Sequence, residues 1–137
     1  MKKIVSSVSA AVLLLLCLLS VGCGTEPAAT GIWATATYTE NTTLGEGNTA
    51  LTVVVSAEDK QITLTVNTDK TTVGAALSEV GLIQGNDGMY TIVNGMTADY
   101  NVDQTYWAFY ENDAYANAGM DDTPITAGVT YKLVRSK

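Results

Sequence analysis

The sequence predicts an α+β fold, in which a mixed β-sheet carries one short helix packed on one of its faces. Residues 62–66 alternate apolar and polar side chains, which is typical of a strand with one buried face. Residues 73–80 instead place apolar side chains at the i, i+3, i+4, i+7 spacing of a helix. Aromatic and β-branched runs return at residues 106–110 and 131–135. Strands on both sides of a single helix favour a sheet covered by that helix.

The first predicted unit is a β-hairpin. Residues 51–55 form a β-branched run, and residues 57–60 form a polar turn after it. Ile62, Leu64 and Val66 then recur at every second position and define the buried face of the returning strand. The short turn makes the two strands antiparallel neighbours.

The predicted helix is short but well delimited. Thr71 or Thr72 can cap its first turn through a side-chain oxygen. Gly81 suits the left-handed position just past its last turn. We therefore expect Leu77 and Val80, which belong to its apolar stripe, to face the core.

Turn signals divide the second half of the chain into short strands. Residues 89–93 alternate and end at Asn94-Gly95, a strong hairpin-turn signal. Residues 96–104 are polar and predict an irregular loop, of the kind that often carries part of a binding rim. The aromatic run ends at a turn over residues 111–113, after which residues 114–116 can pair back.

The N-terminus has the pattern of an export signal. Lys2 and Lys3 precede an apolar run, and Gly22-Cys23 resembles the cleavage site of a bacterial lipoprotein. We expect lipid attachment at Cys23, which would anchor the exported protein to the outer face of the cell membrane. Because Ser20 stands where such sites usually have leucine, a plain secretory leader and a secreted protein form the alternative.

This pattern divides the chain into three parts. Residues 1–22 are the predicted signal peptide, and residues 23–31 are small and polar, as in a flexible tether. Large aromatic side chains begin at Trp33, so residues 32–137 are predicted to form a single folded domain.

Composition argues against most catalytic functions. The chain has no histidine, and its two cysteines, Cys17 and Cys23, lie in or just after the leader. No nucleophile–histidine set and no glycine-rich phosphate loop is present. The pair Asp121-Asp122 precedes Pro124 and is more typical of a turn than of two catalytic carboxylates. We therefore expect a non-catalytic protein without a cofactor.

Charge restricts the class of partner. All fourteen acidic residues follow the leader, which holds two of the seven basic ones, so the remainder carries a net charge of −9. Such a surface repels nucleic acid and anionic lipid headgroups. No metal site is predicted, although Asp113, Asp121 and Asp122, with Asn117, offer oxygen ligands of the type that Ca²⁺ prefers.

The aromatic strand supplies the candidate binding residues. Because side chains alternate along a strand, Trp107 and Phe109 share one face and are expected to fill the core against the helix. Tyr106 and Tyr110 share the other face, which would meet solvent or a ligand. The predicted ligand-binding tyrosines are those of this face and three that extend it: Tyr106, Tyr110, Tyr90, Tyr100 and Tyr115. An ordinary half-buried sheet face is the alternative.

Several short motifs occur in an order that resembles the DUF4430 family of transcobalamin C-terminal-like domains in bacterial lipoproteins. The motifs lie at residues 43–47, 68–77, 93–95, 106–110, 119 and 122–125. The resemblance covers roughly residues 33–134 and implies a β-grasp fold. It also implies a flat hydrophobic ligand, cobalamin-like, as in the animal cobalamin carriers. Those carriers use a second, helical domain, for which this chain has no room.

Two functions follow as hypotheses. In the first, the domain captures a small molecule at the cell surface, for delivery to a membrane transporter. In the second, it is a protein-interaction or adhesion module that docks onto a membrane or surface partner through the same tyrosines or a free sheet edge. A concave apolar site beside Tyr106 and Tyr110 would favour the first hypothesis, whereas a flat patch would favour the second.

Overall fold

The computed structural model describes residues 29–137. The predicted signal peptide, the lipidation at Cys23 and most of the tether therefore lie outside the described residues. The strands are β1 (Thr42–Leu44), β2 (Thr49–Ala57), β3 (Lys60–Thr68), β4 (Ile83–Asn86), β5 (Met89–Val93), β6 (Met96–Thr97), β7 (Tyr106–Glu111), β8 (Ala114–Tyr115) and β9 (Thr130–Ser136). The helices are α1 (Val73–Glu79) and α2 (Tyr100–Asp103), with 3₁₀ turns at Gly31–Thr35 and Met120–Asp122.

Six strands form the main sheet, in the order β1-β3-β2-β9-β7-β8. The predicted hairpin is β2–β3, which is antiparallel from Thr49 opposite Thr68 to Ala57 opposite Lys60. The last strand, β9, lies beside β2 and runs parallel to it, so that the first hairpin and the chain end meet in the middle of the sheet. This mixed sheet with one main helix confirms the predicted α+β, β-grasp-like fold.

A second, three-stranded sheet has the order β4-β5-β6. Its β5–β6 turn is the predicted Asn94-Gly95, and both residues have positive φ (54° and 77°), as a two-residue hairpin turn requires. The predicted irregular loop over residues 96–104 was wrong. Buried Met96 pairs with Val93 in β6, and Asp99 caps α2 by accepting a hydrogen bond from the Asn101 amide.

Helix α1 begins and ends as predicted. The Thr72 hydroxyl accepts a hydrogen bond from the Ala75 amide. At the other end, Gly81 has a φ of 72°, and the Leu82 amide donates to the Leu77 carbonyl at 2.9 Å. None of the helices between residues 29 and 137 is long and apolar enough to cross a membrane.

The core lies between the main sheet and α1, with the small sheet at its side. Its most completely buried large side chains include Tyr131, Leu64, Leu77 and Leu82. Trp33 closes one end, where its indole N–H donates to the Ala57 carbonyl at 2.9 Å. Leu77 is therefore buried, whereas Val80 is half-buried and packs against the edge of the core.

A buried asparagine joins the small sheet to the N-terminal segment. The side-chain amide of Asn94 donates to the Tyr38 carbonyl at 2.8 Å, and its oxygen accepts from the Tyr38 amide at 2.8 Å. The backbone of Asn94 also donates to Leu82 and accepts from Thr37. With 1% of its surface exposed, Asn94 has all these groups satisfied by protein partners.

We expect Asn94→Gly to destabilise the fold by about 2–3 kcal/mol, because it leaves two part-buried backbone groups of Tyr38 without their partners. Glycine keeps the left-handed backbone, so the loss isolates the side chain. Asn112→Gly is the matched control: Asn112 has a φ of 48° and accepts from the Thr130 amide, but it is exposed. Chemical denaturation should show a much smaller loss for that control, and equal losses would contradict the role given to Asn94.

Candidate ligand-binding pocket

A pocket of about 300 Å³ opens between the two sheets. One wall is β5, through Met89, Tyr90 and Thr91, and the opposite wall is β7. Tyr106, Trp107 and Phe109 form that second wall, Tyr100 of α2 lies at the mouth, and Met120 is part of the lining beside Gly119.

Three of the five predicted tyrosines line this pocket: Tyr90, Tyr100 and Tyr106. Tyr110 and Tyr115 do not. Their rings meet edge to face, with centroids 5.3 Å apart, and Tyr115 borders a separate, smaller groove. The concave site predicted beside Tyr106 and Tyr110 therefore exists at Tyr106 alone.

The pocket opens on the face of β7 that was expected to be filled. Phe109 is buried and stacks on Tyr131 with ring centroids 6.0 Å apart. Trp107 is only half-buried and borders both the pocket and the smaller groove. Phe109 thus belongs to the core, whereas Trp107 packs at the edge of the core beside the pocket.

An ion pair between Arg135 and Asp103 holds α2, which carries Tyr100, beside the pocket. Arg135 of β9 bonds to the Asp103 carboxylate at 2.9 Å and to the Thr97 carbonyl at 2.9 Å. The hydroxyl of Thr105 also donates to Asp103. These bonds, first that of Thr105 and then that of Arg135, hold the pKa of the Asp103 carboxyl below its ordinary value. Because 32 residues separate the ionic partners, no local pattern could have predicted the pair.

The Tyr90 hydroxyl donates to the Asp121 carboxylate at 2.5 Å. Burial raises the pKa of this phenol above its ordinary value, and the bond to Asp121 raises it further. The 3₁₀ turn places Asp121 against α1, where a Cβ on Gly74 would lie 2.1 Å from the carboxylate oxygen. Only glycine therefore allows this approach. The Asp121-Asp122 pair is thus a turn, as the sequence indicated.

The acidic side chains were considered from the sequence as oxygen ligands of a cation. Within residues 29–137, no group of three or more histidine, cysteine or acidic side chains is placed to hold a metal ion. Asp113 is bound to Lys132 at 2.6 Å, and Asp121 is bound to Tyr90. Two of the four oxygen ligands considered from the sequence, Asp113 and Asp121, are therefore engaged in other bonds.

Trp107 has a buried indole N–H that finds no hydrogen-bond acceptor among the described residues. An unsatisfied buried donor costs about 1–3 kcal/mol. The other tryptophan, Trp33, has the same group satisfied by Ala57. The wall of the pocket is thus held by packing alone at this position.

Two solved structures share this fold. A proposed metal-binding protein from Ruminococcus gnavus is 25% identical, with a TM-score of 0.61, and the match covers 66% of this chain and 98% of that one. Haptocorrin, solved in complex with Cbi, is 16% identical, with a TM-score of 0.51. That match covers 65% of this chain but 25% of haptocorrin, so this chain spans about a quarter of its length. No protein-family model and no curated protein matches the chain.

These likenesses show that the chain shares its α+β fold with both proteins. At 16% identity, the likeness to haptocorrin shows a shared fold alone.

The two tryptophans should respond differently to replacement by phenylalanine. We expect Trp107→Phe to change the free energy of unfolding by less than ~1 kcal/mol, because the smaller ring also removes an unsatisfied donor. Trp33→Phe should cost about 1–3 kcal/mol, since it leaves the buried Ala57 carbonyl without its partner. Denaturant titration measures both values. A larger loss for Trp107→Phe would mean that its N–H has an acceptor.

Proposed function

We propose that this protein is a non-catalytic, extracytoplasmic binding domain that captures a small molecule in the pocket between β5 and β7. The observation that carries the proposal is the concavity itself, which is mainly apolar and aromatic and is bordered by few polar groups. Ligand sites in proteins have this character and measure roughly 300–1,000 Å³. The fold shared with haptocorrin supports the same class of function.

The size of the pocket limits how a ligand can bind. At about 300 Å³ it is at the lower end of that range, so it encloses a small molecule or one group of a larger one. A flat, cobalamin-like ligand would lie across the exposed rim of Met89, Tyr100 and Tyr106. Since the chain spans about a quarter of haptocorrin, it would cover one side of such a ligand.

The proposal includes membership of the DUF4430 family and attachment to the outer face of the cell membrane by lipid at Cys23. The ordered motifs between residues 43 and 125 support the family, and the Gly22-Cys23 sequence after an apolar leader supports the anchor. A lipid-held domain would then pass its ligand to a membrane transporter or surface protein.

Docking onto a protein partner is the second candidate function. It is favoured by a specific observation: Met89, Tyr100 and Val102 expose 74%, 64% and 80% of their surfaces beside the pocket. Exposed aromatic and methionine side chains are enriched where proteins meet. The pocket would then receive a single side chain of the partner.

Native mass spectrometry with a panel of corrinoids and porphyrins tests the first function. We expect at least one retained adduct, weakened about tenfold or more by Tyr100→Ala, because loss of a stacked aromatic ring costs roughly 1–3 kcal/mol. Tyr115→Ala is the matched control, since Tyr115 is 62% exposed and lies outside the pocket. Equal weakening by both variants would mean that the ligand binds outside this pocket. The absence of any adduct would favour the docking function.

Cys23→Ser should abolish incorporation of labelled fatty acid and release the protein from membranes, because the thiol is the group that receives the lipid. Cys17→Ser is the control and should leave both unchanged. Labelling and cell fractionation in a bacterial host measure the outcome. Membrane retention of Cys23→Ser would identify the protein as anchored by other means.

A further inference from the structure

We propose that the pocket binds an alkylated ammonium group, such as a trimethylammonium, by cation–π attraction. This inference rests on the proposed small-molecule function and adds the chemical class of the group that enters the pocket. It follows from which rings line the pocket, how they are arranged and which charges lie near them.

The lining is unusually aromatic. The chain has two tryptophans, seven tyrosines and one phenylalanine, and five of these ten residues line this one pocket. The aromatic lining consists of Tyr90, Tyr100, Tyr106, Trp107 and Phe109. The larger aliphatic side chains are only Met89 and Met120. A site that merely excluded water could use leucine or valine, whereas rings present the negative faces that attract a cation.

The aromatic residues of the lining do not stack on one another among the described residues. Among the described residues, the close ring pairs are Phe109 with Tyr131 and Tyr110 with Tyr115. Neither pair joins two rings of the pocket. These aromatic residues come from three separate elements, β5, α2 and β7. A compact, roughly spherical cation would be contacted by several rings at once.

The charges nearby favour a cation. Among residues 29–137, no lysine or arginine is part of the lining. Asp121 lies at the Tyr90 wall, and its other carboxylate oxygen would be 3.5 Å from a Cβ on Gly88. A phenol that donates to a carboxylate is polarised, which makes its ring more negative. Arg135 of β9 is the register partner of Trp107 in β7. Its positive charge is neutralised by the Asp103 carboxylate, which lies 2.9 Å away.

A titration followed by ¹H–¹⁵N NMR tests the inference with two probes of the same shape. Choline carries a trimethylammonium group, and 3,3-dimethylbutan-1-ol carries the neutral tert-butyl equivalent. We expect choline to bind at least tenfold more tightly, since a desolvated cation–π contact is worth up to ~2 kcal/mol. The indole N–H resonance of Trp107 should shift on addition of choline, whereas that of Trp33, which donates to Ala57 and is not part of the pocket lining, should not.

Variants separate the charge attraction from simple burial. Tyr100→Leu and Tyr106→Leu keep apolar surface but remove the ring, so choline binding should weaken about fivefold to tenfold while the alcohol is nearly unaffected. Tyr115→Leu is the exposed control and should bind choline as the unaltered protein does. Since Tyr100 is 64% exposed, its replacement leaves the fold intact.

The possible outcomes separate this inference from the proposed function. Equal binding of the two probes would overturn cation recognition and keep small-molecule capture. Failure of choline together with an adduct from the tetrapyrrole panel would also overturn the inference and keep the function. Failure of every probe and of the whole panel would overturn both.

Discussion

The position of the small sheet depends on the buried side chain of Asn94. Its side-chain amide forms hydrogen bonds with the N–H and the carbonyl of Tyr38. Its backbone forms hydrogen bonds with Leu82 and Thr37. Four connections at one fully buried residue fix the β5–β6 hairpin against the N-terminal segment and against the end of α1. Because unpaired polar groups are costly in a core, the hairpin has little freedom to move away.

The pocket follows from this constraint. The small sheet is held at its Asn94 end, and its strand β5 forms one wall of the pocket opposite β7. The opposite wall is stabilised by α2, which Arg135 and Asp103 tie to the last strand. Asp121 then holds the Tyr90 hydroxyl on the near wall. Polar bonds thus lie at the margins of the pocket, and aromatic residues make up much of its lining.

A shared fold and a local site carry different kinds of information about function. The sheet and helix are those of haptocorrin and of the Ruminococcus gnavus protein, but this chain matches only about a quarter of haptocorrin. A fold hosts many ligands, and the side chains that line the site decide among them. Here these are rings and thioethers without a basic group, and the whole sequence contains no histidine. The chemistry that this lining supports is recognition by shape, apolar contact and ring electrostatics.

The sequence by itself determined the elements whose causes are local: the β2–β3 hairpin by its alternation, α1 by its capped apolar stripe, and the Asn94-Gly95 turn by residues that tolerate positive φ. It also suggested Tyr90, Tyr100 and Tyr106 as candidate binding residues, and these three line the pocket. Only the tertiary structure decided that the face of β7 bearing Trp107 borders the cavity. Which face is open depends on how closely the small sheet approaches β7. That distance is set by contacts between residues far apart in the chain, which no local pattern records.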